Sequence, residues 1–370
     1  DGADHLYVTG FTMGALDGPS LGGYEDALLR KYDASGYVLW ARQFGTSGND
    51  LAQDVAVDVE GQVYVCGFTS GVFEGGTPGS EDAFLSKFDP DGNILWTRQF
   101  GTYDTDHGQG VAVDAAGGIY VTGYTVGALE GTSFGAEDVF LRKYDAAGNV
   151  LWTRQIGTDG ADEGRAVAVD DAGWVYVVGS NGRPIEETGS GSEDAFLRKY
   201  DSDGNTAWTR QLRTGGSDAA VGVAVDGVGN CYVSGNTEGA LEGTNAGSYD
   251  AFLRKYDAEG QVLWTRQFGT SGVDGAARCT VDRGGNVHVT GATDGPLDRA
   301  IDGYMDAFVR TYDSAGSLIL QRQFGTSEGD FGHSVAVDVG GRLFVVGMTD
   351  GAFEGASAGG GYDAYVMLVE

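Results

Sequence analysis

Ile94-Leu95-Trp96-Thr97-Arg98-Gln99-Phe100-Gly101 decides the architecture, because it returns along the chain at a fixed spacing of 56 residues. Trp40, Trp96, Trp152, Trp208 and Trp264 hold the same place in successive copies, and Leu320 takes the sixth place in Leu318-Ile319-Leu320-Gln321-Arg322-Gln323. A period of this length means stacked supersecondary units, none of which buries its apolar faces alone. Three further apolar runs accompany the motif in each copy. In the second copy they are Val55-Ala56-Val57-Asp58, Val63-Tyr64-Val65-Cys66-Gly67 and Asp82-Ala83-Phe84-Leu85-Ser86-Lys87-Phe88-Asp89. Each is short, rich in β-branched and aromatic residues and bounded by Gly, Asp or Asn, as strands are. No window keeps a helical apolar period, so the chain is expected to be nearly free of helix.

The connections differ in kind. Asp114-Ala115-Ala116-Gly117 and Asp145-Ala146-Ala147-Gly148-Asn149 read as tight hairpins, since Gly supplies positive φ and Asp bonds its own turn backbone. Thr125 to Gly131 is a longer Gly-rich loop, and Gly101 to Asp106 leads from one unit to the next. Four antiparallel strands repeated seven times predict a seven-bladed β-propeller. The units run about 1–54, 55–110, 111–166, 167–222, 223–278, 279–334 and 335–370 of a single domain. Sheets packed on both faces explain why Phe84 and Leu85 need not alternate with polar residues. Arg98 and its five equivalents, on the outermost strand, are expected to guard the free sheet edge.

The string D-A-F-L-R-K-Y-D, G-N-x-L-W-T-R-Q-F-G-T, V-A-V-D and G-x-V-Y-V-x-G resembles the bacterial seven-bladed β-propeller repeat family, SBBP, over essentially all 370 residues. That resemblance implies a propeller in a secreted or surface-exposed bacterial protein. It transfers no catalytic residue. The second and third strands occur seven times but the first and fourth only six, leaving the chain about 24 residues short of seven full units. The missing stretch is contiguous, a W-T-R-Q strand followed by a V-A-V strand. It is expected upstream of Asp1, closing the ring, or else to be donated by a neighbouring molecule in a polymer.

A net charge of −31 and a pI near 4.2 argue against nucleic acid and anionic membrane as partners. Most of the 23 lysines and arginines fall on the third and fourth strands, which leaves the loops acidic. Cys66, Cys231 and Cys279 occupy unrelated repeat positions, which is no disulfide framework but fits buried thiols. No apolar run is long enough to span a bilayer. The four histidines are scattered, and there is no zinc spacing, nucleophile elbow or phosphate loop, so an enzyme is not expected.

Two series of carboxylates recur on loops that a propeller puts on one face. Asp17, Glu74, Glu130, Glu186, Glu242, Asp298 and Glu354 lie in the long loops. Asp50, Asp106, Asp162, Asp218, Asp274 and Asp330 are read as lying between blades. Either they cap loop amides, or they supply oxygens to Ca²⁺, the one cofactor the composition suits. Departures from the repeat point to a specific site: Arg165, Arg183 and Arg213 are assigned to the fourth blade and Arg278 and Arg299 to the sixth, Arg165 and Arg278 standing just ahead of those units, and guanidinium forks suit an anionic glycan or a peptide terminus. The expected role is a non-catalytic extracellular binding or structural module. It would act in adhesion or in matrix or filament assembly through the loop face, with a protein or glycan partner at the cell surface or with further copies of itself. A Ca²⁺-dependent, lectin-like protein is the alternative, and a lyase or hydrolase at the channel mouth a distant one.

Overall fold

The computed structural model describes residues 1–16, 21–73, 79–183, 193–353 and 361–369. Among them there is no helix, and 26 strands form seven antiparallel sheets, the blades of a seven-bladed propeller. The first blade comprises β1 (Leu6–Thr12), β2 (Asp26–Tyr32) and β3 (Val38–Phe44). The second comprises β4 (Asp50–Val57), β5 (Val63–Thr69), β6 (Asp82–Phe88) and β7 (Ile94–Phe100). The four-stranded blades β8–β11, β12–β15, β16–β19 and β20–β23 span 106–156, 162–212, 218–268 and 274–324, and β24–β26 spans 330–369. The first strand of a blade thus begins at Asp50, ahead of the Val55 read from the sequence, because its opening residues pair with the second strand. The chain packs as two compact units that divide within the fourth blade. The first is Asp1–Val177, Asn181–Gly189 and Lys199–Ala207, and the second is the remainder.

Each hairpin follows one plan. Asp58 N–H donates to the Gln62 carbonyl and Gly61 N–H to the Asp58 carbonyl, while Asp58 Oδ1 accepts from the Glu60 and Gln62 amides. Two bulges recur as well. Leu95 is left over where Lys87 pairs Trp96 and Phe88 pairs Ile94, which turns both Ile94 and Leu95 to solvent. Gln53 is left over on β4, between Ala52 opposite Gly67 and Asp54 opposite Cys66.

In the first unit the core gathers Tyr64, Cys66, Leu85, Val121 and Phe140 from adjacent blades, all buried completely. In the second it gathers Tyr232, Leu253, Val287, Val289 and Phe308. Each such large side chain contributes about 1.5–3 kcal/mol on leaving water, and burial on both sheet faces follows from the stacking that the repeat demands. All three cysteines are buried thiols outside any disulfide, and burial pushes the Cys279 thiol up to about 11.

Five of the six fourth-strand arginines hold the next blade rather than standing free at the sheet edge, the exception being Arg322. Arg98 Nε donates to the Gly148 carbonyl and Nη2 to the Ala147 carbonyl, each at 3.0 Å, so the guanidinium grips the hairpin of the next blade while stacked 5.1 Å over Trp96. In the blade before, Arg42 grips Gly92 and Asp91, and Trp40 Nε1 donates to the Pro90 carbonyl. In the second unit Arg210 holds Gly260 and Glu259. The hairpin glycine is required twice over: Gly92 has φ 82°, and a Cβ there would stand 3.1 Å from Trp40 and Arg42. The sequence shows a basic edge residue, but the hairpin that neutralises its donors lies 50 residues further on.

Candidate functional site

The long loops and the links between blades emerge together, joined by backbone bonds. In the first unit Asp50, Asp106 and Asp162 N–H each donate to the carbonyl of Glu25, Glu81 and Glu137, at 2.8 Å. The residue before each third strand is therefore held rigidly. In the first four blades that residue is Glu25, Glu81, Glu137 and Glu193, whereas Tyr249, Met305 and Tyr362 take the place in the last three. The sequence carries this signal as a change from Glu-Asp to Tyr-Asp or Met-Asp, which a reading centred on the recurring Asp misses.

One cluster in the first unit breaks the repeat most sharply. His107 opens β8 (Asp106–Val113) beside Asp106, and its ring stacks on Phe68 with centroids 3.6 Å apart and planes 4° apart. Its Nε2 lies 2.7 Å from Glu81 Oε2, and its Nδ1 lies 2.7 Å from the hydroxyl of Tyr124 on β9 (Ile119–Thr125). Burial pushes the imidazole below its usual range, and Glu81 opposes that shift only in part. A neutral ring satisfies both contacts in one tautomer, with Nε2–H donating to the carboxylate and Nδ1 accepting from the Tyr124 hydroxyl. Burial, then the Glu137, Glu163 and Glu81 charges, push the Tyr124 phenol up to about 12. Glu137 is raised first by burial and then by Glu163, which Arg165 pairs at 3.0 Å. On other loops of the first unit Tyr24, Tyr103 and Phe134 are exposed, Tyr103 by 91%. In the second unit Tyr304 and Tyr362 are the exposed aromatics on the equivalent loops.

The two predicted carboxylate series have separate fates. The Asp50 series opens the first strand of each blade rather than lying free between blades. Each is buried and accepts the amide of the threonine four residues back, as in Thr102 N–H to Asp106 Oδ2 at 2.6 Å and Thr326 N–H to Asp330 Oδ2 at 2.6 Å. Asp50, Asp162, Asp218 and Asp274 bind Thr46, Thr158, Thr214 and Thr270 in the same way. In the other series, Glu130 and Glu242 are exposed near Arg154 and Arg266, and Glu130, Glu242 and Asp298 each donate an amide to a fourth-strand glutamine. Asp17, Glu74, Glu186 and Glu354 lie outside the described residues. Among the described residues no group of three or more His, Cys, Asp or Glu side chains could hold a metal ion.

The predicted arginines answer local carboxylates. Arg183 Nε lies 2.8 Å from Asp159 Oδ1 in the first unit. In the second, Arg213 Nε stands 3.0 Å from Asp194 Oδ2, and Arg299 pairs Asp302 while reaching 3.7 Å from Asp306. Arg278 falls within the bulge of β20 (Asp274–Val281), where the register slips between Ala276 and Cys279. Among the described residues no helix is long and apolar enough to cross a membrane.

Comparison with known proteins agrees with the repeat. The SBBP family model, described as a beta-propeller repeat, matches residues 39–74, 95–129 and 151–180. A regulatory protein FlaEY of Caulobacter vibrioides is 31% identical over 167 residues, covering 40% of this chain and 17% of that protein. An uncharacterized WD repeat-containing protein L264 of Acanthamoeba polyphaga mimivirus is 27% identical over 235 residues, 49% of this chain and 17% of its own length. The chain thus spans about a sixth of these relatives. The Pan2 WD40 domain of Neurospora crassa superposes with a TM-score of 0.54 at 8% identity, covering 93% of this chain and 82% of that one, which is a likeness of fold alone. The chain is a seven-bladed β-propeller carrying SBBP beta-propeller repeats.

Proposed function

We propose that this propeller is a non-catalytic binding module whose loop side takes up a cationic segment of a partner protein, in adhesion or assembly at a bacterial cell surface. The carrying observation is the grouping of Glu81, Glu137 and Glu163 around His107 in a chain of net charge −31, with the rings of Tyr103 and Phe134 exposed on other loops of the first unit. Carboxylates give charge-assisted bonds to Arg and Lys, and rigid aromatic rings give cation–π contact and anchoring area. His107 is neutral and occupied at both nitrogens, which suits it to holding Glu81 and Tyr124 in place rather than to moving protons. The regulatory and WD-repeat character of the relatives agrees with a binding role.

Titration calorimetry with an arginine-rich peptide and its glutamate-rich counterpart tests the reading. The expected result is salt-sensitive binding of the first alone, abolished in a variant carrying Glu81→Gln, Glu137→Gln and Glu163→Gln. Undiminished binding by that variant moves the site elsewhere, and binding of neither peptide removes the proposal.

A further inference from the structure

Six pairs of buried aspartates link the blades, each joining the first residue of a third strand to the first residue of the next blade's first strand. In the second blade they are Asp82 and Asp106, and they meet across Gly101: a Cβ on that glycine would stand 2.3 Å from Asp82 Oδ1 and 2.7 Å from Asp106 Oδ2. Asp82 Oδ2 accepts from Gln99 Nε2 at 2.6 Å and from the Gly79 amide, whereas its Oδ1 is buried with no donor. Asp106 Oδ2 already takes both the amide and the hydroxyl of Thr102. The same orphaned Oδ1 recurs on Asp26, Asp138, Asp250 and, in the sixth blade, Asp306, and Asp106 and Asp330 also have an Oδ1 buried without a donor. Asp250 and Asp274 meet across Gly269, and Asp26 and Asp138 lie near enough to raise Asp50 and Asp162. Two like charges this close in a dry site cannot both persist without a counter-charge.

Two blades supply one. Arg213 stands where Gly101 stands in the second blade, and its Nε lies 3.0 Å from Asp194. Arg299 reaches to 3.7 Å from Asp306 in the sixth blade. Among the described residues, the donors facing the pair at the other four junctions are neutral. These are Thr46, Thr69 and Gln43 around Asp26 and Asp50, and Thr102, Thr125 and Gln99 around Asp82 and Asp106. They are Thr158, Gln155 and the Gly182 amide around Asp138 and Asp162, and Thr270, Thr293 and Gln267 around Asp250 and Asp274. The charged groups one shell out are His107 and Glu81 beside the second junction and Asp294 beside the fifth, none of them cationic at neutral pH as placed here.

We infer that in mildly acid solution each of these four junctions holds one proton shared by its pair of carboxyl groups, where the fourth and sixth blades set an arginine beside the pair. The gap beside the glycine Cα has no room for a methyl group, so the two carboxyls close on one another over a bare backbone. Burial raises the Asp50, Asp82, Asp106, Asp162 and Asp274 carboxyls, Asp162 to about 6. The proton enters from solvent on folding, and the blade junctions loosen as it leaves at higher pH.

Two variants separate the kinds of junction. Asp82→Asn replaces a protonated acid by a neutral isostere whose amide can donate to Asp106. Its melting temperature is expected to match the parent near pH 5 and to exceed it near pH 8. Asp194→Asn breaks an ion pair and is expected to lower the melting temperature at both. Infrared spectra of the unaltered protein near pH 5, where exposed aspartates are ionised, are expected to show the carbonyl band of protonated carboxyl groups, lost by pH 8. Equal destabilisation by both substitutions near pH 8, absence of that band, or a melting temperature lowered by EDTA and restored by Ca²⁺ overturns the inference, the last in favour of a metal.

Discussion

Replacing Arg98 by alanine tests the physical account of how blades are joined. The side chain makes two hydrogen bonds to the next hairpin, at 3.0 Å to Gly148 and 3.0 Å to Ala147, and covers Trp96 at 5.1 Å. A charge-assisted bond contributes about 1.5–3 kcal/mol when fully buried. This site is only part-buried, so about 1 kcal/mol each is appropriate. The cation–π contact adds about 0.5 kcal/mol at such exposure, for a loss of about 2–3 kcal/mol. With an unfolding entropy of about 2.1 cal/mol/K per residue, a chain of this length changes by about 0.8 kcal/mol per degree, so the melting temperature falls by about 3 °C. Arg98→Lys keeps the charge but not the fork and loses nearly as much. Arg322 is the internal control: same repeat position, exposed, with Nη1 donating only to the adjacent Gln321 carbonyl. Arg322→Ala is expected to cost under about 0.5 kcal/mol, as exposed surface groups do. Differential scanning calorimetry of the three variants decides. Equal shifts for Arg98→Ala and Arg322→Ala would refute the reasoning, because only the first disturbs a cross-blade contact.

Other outcomes follow from the same structure. The Asp162 carboxyl is raised from 3.8 to about 6, so its stabilising effect is complete below pH 3.8 and is lost as pH rises through about 6. A rise of that size corresponds to about 3 kcal/mol, and denaturant midpoints should fall between about pH 4 and 6 and flatten in Asp162→Asn. His107 has a lowered pKa, so its protonation opposes folding, and nitrogen NMR should show the Nε2–H tautomer persisting below pH 6.5; a conventional titration at that pH would contradict the assigned hydrogen bonds. Gly92→Ala forces a residue with a Cβ to φ 82° against Trp40 and Arg42, with an expected loss of about 1–3 kcal/mol by chemical denaturation. EDTA is expected to leave the melting temperature unchanged, since the Asp50 series is already occupied by threonine amides and hydroxyls.

Local chemistry made the blade plan readable. Asp-x-x-Gly turns, β-branched runs and a fixed period all act over a few residues, and the hairpins at Asp58 and Asp145 follow from them directly. What escaped depends on residues far apart in sequence. That Asp50 caps the amide of Thr46, four residues back, is local and is one of the two readings of its series, but that it opens a strand rather than lying in a loop depends on its partner Thr69 across the sheet. Arg213 read as a ligand-binding departure, yet it replaces a glycine and so falls beside Asp194. The His107 cluster joins Glu81, Phe68 and Tyr124 from three strands and two blades, a meeting that only the stacking creates.

The grip of each blade on the next runs in one direction along the chain. Five successive fourth strands carry an arginine that reaches forward to a hairpin of the next blade, and Arg322 alone among the six does not. A tandem duplication of the whole cassette therefore arrives with both halves of its own junction and needs no new interface chemistry, whereas a single residue inserted into one hairpin displaces the carbonyls that the preceding arginine holds. Such a lineage can change its number of repeats more readily than the length of one turn.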